Sequence, residues 1–222
     1  MVQLRRSSGA AGETQALHAL AMRHAVAQTS LFDAGPRALF DDAEGGVRYW
    51  PGFVAERKAQ LWFESLRDQV AWEARQRPMY DRIVDVPRLV AAYRLDDPQL
   101  PAPLAQAQQR LREALSAPFN AVGLNYYRDG RDSVAPHNDK LHSLVPGQPI
   151  ALLSLGAPRR MTIRTKQAPH RTCHIDLEPG SLLVMSHASQ RHYDHGIPKM
   201  REAVGPRISL AFRVRPFEPG HR

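Results

Sequence analysis

From residue 120 onward, short apolar runs alternate with turn signals, and this spacing constrains the fold more than any other feature of the sequence. Each run has the length of a strand, and no helical pattern separates one run from the next. Such spacing is typical of an antiparallel sandwich or jelly roll rather than of a parallel sheet, whose strands need long crossovers. The predicted strands are 121–127, 149–155, 161–165, 173–177, 181–185 and 207–214.

The earlier part of the chain carries helical patterns instead. Apolar side chains at spacings near 3.6 predict an amphipathic helix over 55–74, and Leu104 and Leu111 indicate a second helix over 101–115. Residues 76–98 hold prolines and charges too densely for a regular element, so we expect a loop or a lid there. The predicted fold class is therefore α+β, with a double-stranded β-helix (jelly-roll) core, N-terminal helices and a lid.

The same patterns predict the domain boundaries. Residues 1–29 lack the apolar stretch of a signal peptide, and we expect a disordered or weakly helical tail. Residues 30–222 then form a single domain, with helices and the lid in 30–119 and the jelly-roll core in 120–222. No apolar run reaches the roughly 18 residues of a membrane span, and no seam for self-association is visible, so we expect a monomer outside the membrane. The one cysteine, Cys173, excludes an internal disulfide and favours a reducing compartment such as the cytoplasm.

The net charge of +8 is concentrated in the C-terminal part of the chain. Residues 125–222 carry 15 Lys and Arg against 8 Asp and Glu, whereas residues 1–124 carry 15 against 14. A local excess of positive charge favours polyanionic partners such as nucleic acid. The same charges could instead form a solvated surface, and charge alone leaves both interpretations open.

A histidine and an aspartate lie two residues apart at His137 and Asp139. On an extended strand their side chains share a face, so both can reach one metal ion. With His195 as a third ligand, the set matches the facial triad of non-haem Fe(II) oxygenases, which leaves coordination positions for a co-substrate and O₂. Arg207 lies twelve residues after His195 on an apolar strand. A buried arginine there needs an anionic partner, such as the dicarboxylate 2-oxoglutarate.

At these residues the chain resembles the AlkB family of Fe(II)/2-oxoglutarate dioxygenases. The matching motifs keep the family's order and spacing across about ninety residues. They are Asn125-Tyr126-Tyr127, Gly130, His137-Asn138-Asp139, Ser154-Leu155-Gly156, GSLLVM at 180–185, HGIPK at 195–199 and RISLAFR at 207–213.

The resemblance implies a role for each matching residue. His137, Asp139 and His195 would bind Fe(II) and form the catalytic centre. Arg207 would bind the distal carboxylate of 2-oxoglutarate. Four further residues would complete the co-substrate pocket: Asn125, Tyr127, Ser209 and Arg213. The family usually has asparagine at the position of Ser209.

The activity that the resemblance implies is oxidative dealkylation of N-alkylated nucleobases in DNA or RNA, with O₂ consumed and aldehyde, succinate and CO₂ released. A base inside a duplex cannot reach the metal, so it must be flipped out or presented single-stranded. The lid over 76–98 is the candidate for substrate recognition, through Tyr80, Arg88 and Tyr93. The alternative for both tyrosines is packing of the loop against the sandwich.

Five basic residues form a second predicted substrate contact. They lie on two strands and the connecting loop, and on a shared face they would follow the phosphates of a nucleic acid. If they do not share a face, they are scattered solvated charges. The residues are Arg159, Arg160, Arg164, Lys166 and Arg171.

Lys140 is a departure from the family pattern. Many AlkB relatives carry acidic residues directly after the iron aspartate, where they favour cationic lesions. A lysine at that place repels a cationic base. We therefore expect neutral lesions, such as etheno adducts or N-alkylated guanine or thymine, unless Asp81, Asp85 or Asp194 supplies the acidic group.

Two other classes of function stay open at this point. A 2-oxoglutarate oxygenase of the same fold could hydroxylate or demethylate a protein or a small molecule, with the basic residues incidental. A non-catalytic nucleic-acid-binding module on a jelly-roll scaffold is the second, and the complete set of metal ligands argues against it. Binding of an alkylated oligonucleotide that weakens steeply with salt would separate the first from a nucleic-acid enzyme.

Overall fold

Twelve antiparallel strands form the framework of residues 35–79 and 82–216, the part of the chain that this computed structural model describes. They are β1 (Arg37–Phe40), β2 (Val47–Trp50), β3 (Glu73–Met79), β4 (Arg82–Arg94), β5 (Ala121–Tyr127), β6 (Val134–His137), β7 (Ile150–Gly156), β8 (Arg159–Thr165), β9 (Thr172–Leu177), β10 (Leu182–Met185), β11 (Tyr193–Ile197) and β12 (Arg207–Arg213).

The strands form two sheets. The larger has the order β1-β2-β10-β7-β12-β5-β4-β3, and the smaller has the order β6-β11-β8-β9. Side chains of both sheets meet in one apolar layer, with Ile163 and Ile175 from the smaller sheet and Leu183 and Ala211 from the larger. Two antiparallel sheets around a shared core confirm the predicted jelly-roll architecture, and all six predicted strands are present.

Two helices, α1 (Glu56–Gln69) and α2 (Ala102–Ala114), cover the outer face of the larger sheet. Both present an apolar stripe, including Leu66 and Leu111, to a second core that the sheet completes from the other side. The first helix is shorter than predicted, because Val70 takes an extended conformation with φ −76° and ψ 133°. Two short helical segments follow later in the chain, a 3₁₀ turn at Leu141–Ser143 and α3 (Ser189–His192).

The predicted loop over 76–98 is wrong, because this part of the chain forms a β-hairpin of β3 and β4. The prolines are tolerated for local reasons. Pro78 lies on β3, which is the edge strand of the larger sheet. Pro87 lies where the pairing register of the hairpin shifts, so its missing N–H removes no bond from the regular ladder. The hairpin is an extension of the sheet rather than a separate lid.

Alternation along the central strands sorts side chains between the two faces of the larger sheet. On β5, Val122 and Leu124 join the helix-covered core, so Asn125 and Tyr127 point toward the smaller sheet. On the neighbouring β12, the same alternation turns Arg207 toward the smaller sheet. Polar side chains from the adjacent strands β5 and β12 therefore lie together between the two sheets.

The predicted domain boundaries can be compared with the described residues. The described residues from Pro36 onward form one compact unit. The expected tail over 1–29 lies outside the described residues, as does Tyr80. Among the helices that the structure describes, none is both long and apolar enough to cross a membrane.

Candidate metal and co-substrate site

Three side chains that can bind a metal meet beside the pairing of β6 with β11. The candidate ligand atoms of His137, Asp139 and His195 all lie within 4.8 Å of one another, and within the described ranges this is the one group of its kind. β6 ends at His137, and β11 places His195 opposite it with 4.5 Å between the ring centroids. The structure therefore brings the three predicted ligands together in a set that fits Fe(II) and leaves positions for other ligands.

Each imidazole has a ring nitrogen that can bind a metal. Nδ1 of His137 lies 3.0 Å from the carbonyl oxygen of Ala135, and a proton on Nδ1 donated there leaves Nε2 for a metal. Burial first, and then electrostatic interaction with the nearby His137, lowers the pKa of His195 to about 4. His195 is thus uncharged at neutral pH, which is the form that binds a metal.

The carboxylate ligand Asp139 is held by Arg213. Nε of Arg213 donates to Oδ2 at 2.7 Å, and Nη2 donates to Oδ1 at 3.1 Å. Burial by itself would raise the pKa of Asp139, but the charge and hydrogen bonds of Arg213 outweigh it and hold that pKa below its usual range. This two-point contact keeps the carboxylate ionised and sets its plane. Arg213 also lines a cavity that contains His137, His195 and Arg207, but its direct hydrogen-bond partner is the metal-binding carboxylate.

Arg207 is a buried cation with unpaired hydrogen-bond donors. Its side chain is 1% exposed, and Nη2 donates to Oγ of Ser154 at 2.9 Å. Its guanidinium carbon lies 5.2 Å from the centre of the Tyr127 ring. Among the described residues, its Nε and Nη1 have no hydrogen-bond partner. Because unpaired buried donors on a charged group are destabilising, this arrangement fits an anion that completes it, and a carboxylate matches the geometry of the guanidinium.

One cavity contains both the histidine ligands and Arg207. Asn125, Tyr127 and Ser209, predicted as co-substrate residues, also line it. Metal ligands and an anion-binding arginine in a single polar cavity fit a dicarboxylate that also chelates the metal, as 2-oxoglutarate does. The lining residues are Arg88, Asn125, Tyr127, Val134, His137, Leu152, Met161, His195, Gly196, Ile197, Arg207, Ser209, Ala211 and Arg213.

Arg88, predicted to bind substrate from a lid, lies in this same cavity. Its Nε donates to Oδ1 of Asn125 at 2.6 Å, and its Nη1 donates to the carbonyl oxygen of Ser133 at 3.4 Å. The side chain is half-buried. Arg88 therefore orients Asn125 beside the co-substrate residues.

Tyr93 does not face the metal cluster, and its predicted role in stacking on a base is wrong. It pairs with Val122 across β4 and β5, and both side chains belong to the helix-covered core. Residues that pair directly across neighbouring strands point to the same face of a sheet. Tyr93 is thus on the face opposite Asn125, and the alternative of packing against the sandwich is confirmed for it.

Arg159 is buried rather than part of a phosphate-binding surface, so its predicted contact with substrate is wrong. Its side chain is 1% exposed and donates to the carbonyl oxygens of Asp129, Asp132 and Pro198 at 3.0, 2.8 and 2.8 Å. Alternation along β8 points Arg159 inward together with Ile163. It joins β8 to the loop that contains Asp129 and Asp132 and to Pro198, and it has no access to nucleic acid.

The other four basic residues of the predicted band have different surroundings. Arg164 and Arg171 are exposed. Arg160 is also exposed, and its Nε donates to Oδ1 of Asp176 at 2.9 Å. Lys166 turns toward the metal cluster, where its Nζ lies 2.7 Å from Oδ1 of Asn138. The band is therefore not one uniform surface.

Sequence patterns alone did not identify three residues that support the site. Ser154 is the hydrogen-bond partner of Arg207, and only its place in the Ser-Leu-Gly motif could have marked it. Gln190 accepts a hydrogen bond from the backbone N–H of Asp139 at 2.9 Å, and Lys166 contacts the neighbouring Asn138. Lys166 was predicted only as a phosphate contact, and the local sequence does not reveal these two contacts, because the partners are more than twenty positions away.

Comparison with known proteins gives the family. The model of the 2OG-Fe(II) oxygenase superfamily matches residues 46–213. The chain is 33% identical over 187 residues to the alpha-ketoglutarate-dependent dioxygenase alkB homolog 3 of Mus musculus, covering 76% of this chain and 65% of that protein. It is 36% identical over 124 residues to the DNA oxidative demethylase ALKBH2 of Homo sapiens, covering 51% and 48%. The chain thus spans less than two thirds of the length of either relative.

The matched range contains every residue of the metal cluster and of the cavity beside it. The two relatives carry the AlkB name, in agreement with the resemblance seen in the sequence motifs. Metal ligands, buried arginine and family match agree, and the chain therefore belongs to the 2OG-Fe(II) oxygenase superfamily, with AlkB proteins as its relatives.

Proposed function

We propose that this protein is an Fe(II)/2-oxoglutarate-dependent dioxygenase that removes N-alkyl groups from nucleobases in DNA or RNA. The observation that carries the proposal is the cavity that contains both the histidine ligands and the buried Arg207 with its two unpaired nitrogens. The name of the human relative, DNA oxidative demethylase, supports nucleic acid as the substrate class.

Each part of the site has a role in this reaction. His137, Asp139 and His195 would hold Fe(II), and Arg207 would hold the distal carboxylate of 2-oxoglutarate. Bound Fe(II) with 2-oxoglutarate and O₂ supplies the oxidation, in which 2-oxoglutarate becomes succinate and CO₂ and one oxygen atom enters a C–H bond of the alkyl group. The hydroxylated N-alkyl group then leaves as an aldehyde, and the base regains its proton.

The protein's own side chains orient the reactants. Arg213 holds both oxygens of Asp139, so the carboxylate keeps a defined plane as a ligand. Arg88 holds the side-chain oxygen of Asn125, whose amide N–H groups are then turned toward other partners. Leu152 and Met161 give the cavity an apolar part, which limits access of water near the metal.

We further propose that the preferred lesions are neutral bases rather than cationic ones. Lys140 is exposed and directly follows Asp139. Lys166 adds a second cation close by, with its Nζ 2.7 Å from Oδ1 of Asn138. Net positive charge beside the metal ligands repels a cationic base.

The carboxylates considered as acidic help do not remove this effect. Oδ1 of Asp194 lies 3.8 Å from Nζ of Lys166, so these two charges offset each other and the positive charge of Lys140 remains. Asp85 accepts a hydrogen bond from Gln76 within the β3–β4 hairpin. Asp81 lies outside the described residues.

Nucleic acid is the proposed partner, and the exposed Arg164 and Arg171 are the residues of the predicted band best placed to contact phosphates. Such contacts position the backbone without reading the sequence, and they weaken as salt rises. The monomeric state and the cytoplasmic location expected from the sequence stay predictions.

Mass spectrometry of alkylated oligonucleotides tests the proposal. Each oligonucleotide of a panel with cationic and neutral lesions is incubated with protein, Fe(II), 2-oxoglutarate and ascorbate in air, with His137→Ala as the control. We expect loss of the alkyl group by the wild type only, with neutral lesions repaired fastest. Succinate release without any loss of an alkyl group would instead assign the oxygenase to a protein or small-molecule substrate.

A Lys140→Asp variant tests the charge argument separately. We expect this change to raise turnover of 3-methylcytosine relative to a neutral etheno adduct, because it replaces a repelling charge by an attracting one. Equal ratios for both proteins would contradict control of specificity by charge at this position.

A further inference from the structure

A series of hydrogen bonds, linked through Ser189, runs from the turn between β1 and β2 to the metal-binding segment. Oγ of Ser186 donates to Oδ2 of Asp42 at 2.6 Å and accepts from the backbone N–H of Ser189 at 2.9 Å. Oγ of Ser189 accepts from Nε2 of Gln190 at 3.1 Å. Oε1 of Gln190 in turn accepts from the backbone N–H of Asp139 at 2.9 Å. The orientation of the Gln190 amide is thereby set at both of its ends.

A second set of contacts reaches the same segment through Lys166. Its Nζ donates to Oδ1 of Asn138 at 2.7 Å and to the carbonyl oxygen of Gln190 at 2.8 Å. Nδ2 of Asn138 donates to the carbonyl oxygen of Asp139 at 3.0 Å. Lys166 therefore joins the residue between two metal ligands to the short helix α3 that carries Gln190.

The position of Asp139 explains why such contacts are needed. β6 ends at His137, so Asp139 lies beyond the strand and outside its pairing with β11. Its backbone N–H is bonded by the side chain of Gln190, which is 1% exposed, as is Ser189 beside it. A ligand held by buried hydrogen bonds needs little reorganisation when a metal binds, whereas a loose ligand must be ordered first.

We propose that Gln190 and Lys166 are positioning residues that pre-organise Asp139 for metal binding. The inference rests on the metal role of the His137, Asp139 and His195 cluster proposed above. Neither residue is a metal ligand, and both act through the backbone and side chain of the segment that contains Asn138 and Asp139.

Titration with Co²⁺, followed by its visible absorption, tests the proposal without any turnover. Gln190→Met keeps the approximate volume but removes the acceptor for the Asp139 N–H, whereas Gln190→Glu keeps an acceptor oxygen. We expect the methionine variant to bind Co²⁺ about 10-fold more weakly, and the glutamate variant to stay within about threefold of the wild type. Urea unfolding of the metal-free proteins reports separately on any general loss of stability.

Lys166 provides a second arm that does not depend on a fully buried side chain, since it is 28% exposed. Lys166→Met is expected to weaken Co²⁺ binding by about threefold to tenfold. In the double variant with Gln190→Met, the loss should be smaller than the product of the single losses, because both residues hold one segment. Arg160→Met, at an exposed residue of β8 whose partner is Asp176, serves as the control and should leave the affinity unchanged.

The outcomes separate this inference from the proposed function. Wild-type affinity in both methionine variants would overturn the inference, as would equal losses in Gln190→Met and Gln190→Glu. Absence of Co²⁺ binding by the wild-type protein would overturn the metal site itself, and with it the proposed function. Co²⁺ binding with the expected pattern, together with no dealkylation of any oligonucleotide, would leave the inference standing and remove only the substrate assignment.

Discussion

Two buried arginines flank the ring of Tyr127, and they differ in how their donors are used. The guanidinium carbons of Arg159 and Arg207 lie 5.5 and 5.2 Å from the ring centre, and each side chain is 1% exposed. Arg159 donates three hydrogen bonds to backbone carbonyls, two in the loop after β5 and one at Pro198. Arg207 donates to the hydroxyl of Ser154, and within the described residues two of its nitrogens, Nε and Nη1, have no partner, against Nε alone in Arg159.

This difference shows how a buried charge can serve the fold or serve a ligand. A cation whose donors are mostly satisfied by the chain stabilises the segments that it joins, and removing it leaves carbonyls without donors. A cation with unsatisfied donors is an unfavourable feature of the free protein that a bound anion can correct. Arg159 therefore belongs to the scaffold, whereas Arg207 marks the co-substrate pocket.

The largest effect is expected from Arg159→Met. The substitution leaves the carbonyl oxygens of Asp129, Asp132 and Pro198 without their donor, and unpaired buried groups cost about 1 to 3 kcal/mol each. We expect the free energy of unfolding, measured by urea denaturation, to fall by about 4 kcal/mol. A fall below about 1 kcal/mol would mean that water replaces the guanidinium without difficulty.

Arg207→Met should affect the ligand instead of the fold. We expect the affinity for 2-oxoglutarate, measured calorimetrically on Mn²⁺-loaded protein, to fall about 100-fold, or about 2.7 kcal/mol. The free energy of unfolding without ligand should stay the same or rise, because the variant no longer buries a poorly paired charge. Loss of stability comparable to that of Arg159→Met would erase the distinction between the two arginines.

Ser154→Ala sharpens the comparison on a smaller scale. The variant removes the hydroxyl that accepts a hydrogen bond from Nη2 of Arg207 at 2.9 Å. Since a hydrogen bond to a charged group contributes about 1.5 kcal/mol, we expect 2-oxoglutarate to bind roughly tenfold more weakly. Ser181→Ala, whose hydroxyl donates to the carbonyl of Glu178, is a control that should leave this affinity unchanged.

The smallest effect is expected at the exposed Arg160, whose partner is Asp176. Exposed ion pairs contribute little because solvent and salt screen them. Arg160→Ala should change the free energy of unfolding by less than about 0.5 kcal/mol in the same urea experiment. A change as large as that of Arg159→Met would show that exposure does not separate these neighbouring arginines of β8.

The sequence was sufficient for the jelly roll and for the residues that define the site. Turn signals separated the six predicted strands, and the two-residue spacing of His137 and Asp139 predicted that both reach one metal ion, although β6 ends at His137 and Asp139 follows it. The two arginines of β12 followed from the motif that contains them. These features are local, or they belong to a motif with fixed spacing, and for that reason they can be seen without coordinates.

Features that depend on pairing across the sheets could not be predicted. Tyr93 faces the helices because of its register with Val122, and a shift of one residue would have turned it to the other face. The β3–β4 hairpin was missed because prolines argue against a regular strand, although an edge position and a register shift accommodate them. The burial of Arg159 depends on carbonyls from two distant loops, which leave no mark in the sequence around it.

The most direct measurement of the central claim compares 2-oxoglutarate with 2-oxobutyrate, which lacks the distal carboxylate, on wild-type protein and on Arg207→Met. Both are titrated calorimetrically into Mn²⁺-loaded protein. We expect the wild type to prefer 2-oxoglutarate by about 100-fold and the variant to bind the two compounds within a few-fold of each other. An undiminished preference in the variant would contradict the assignment of Arg207 as the group that binds the distal carboxylate.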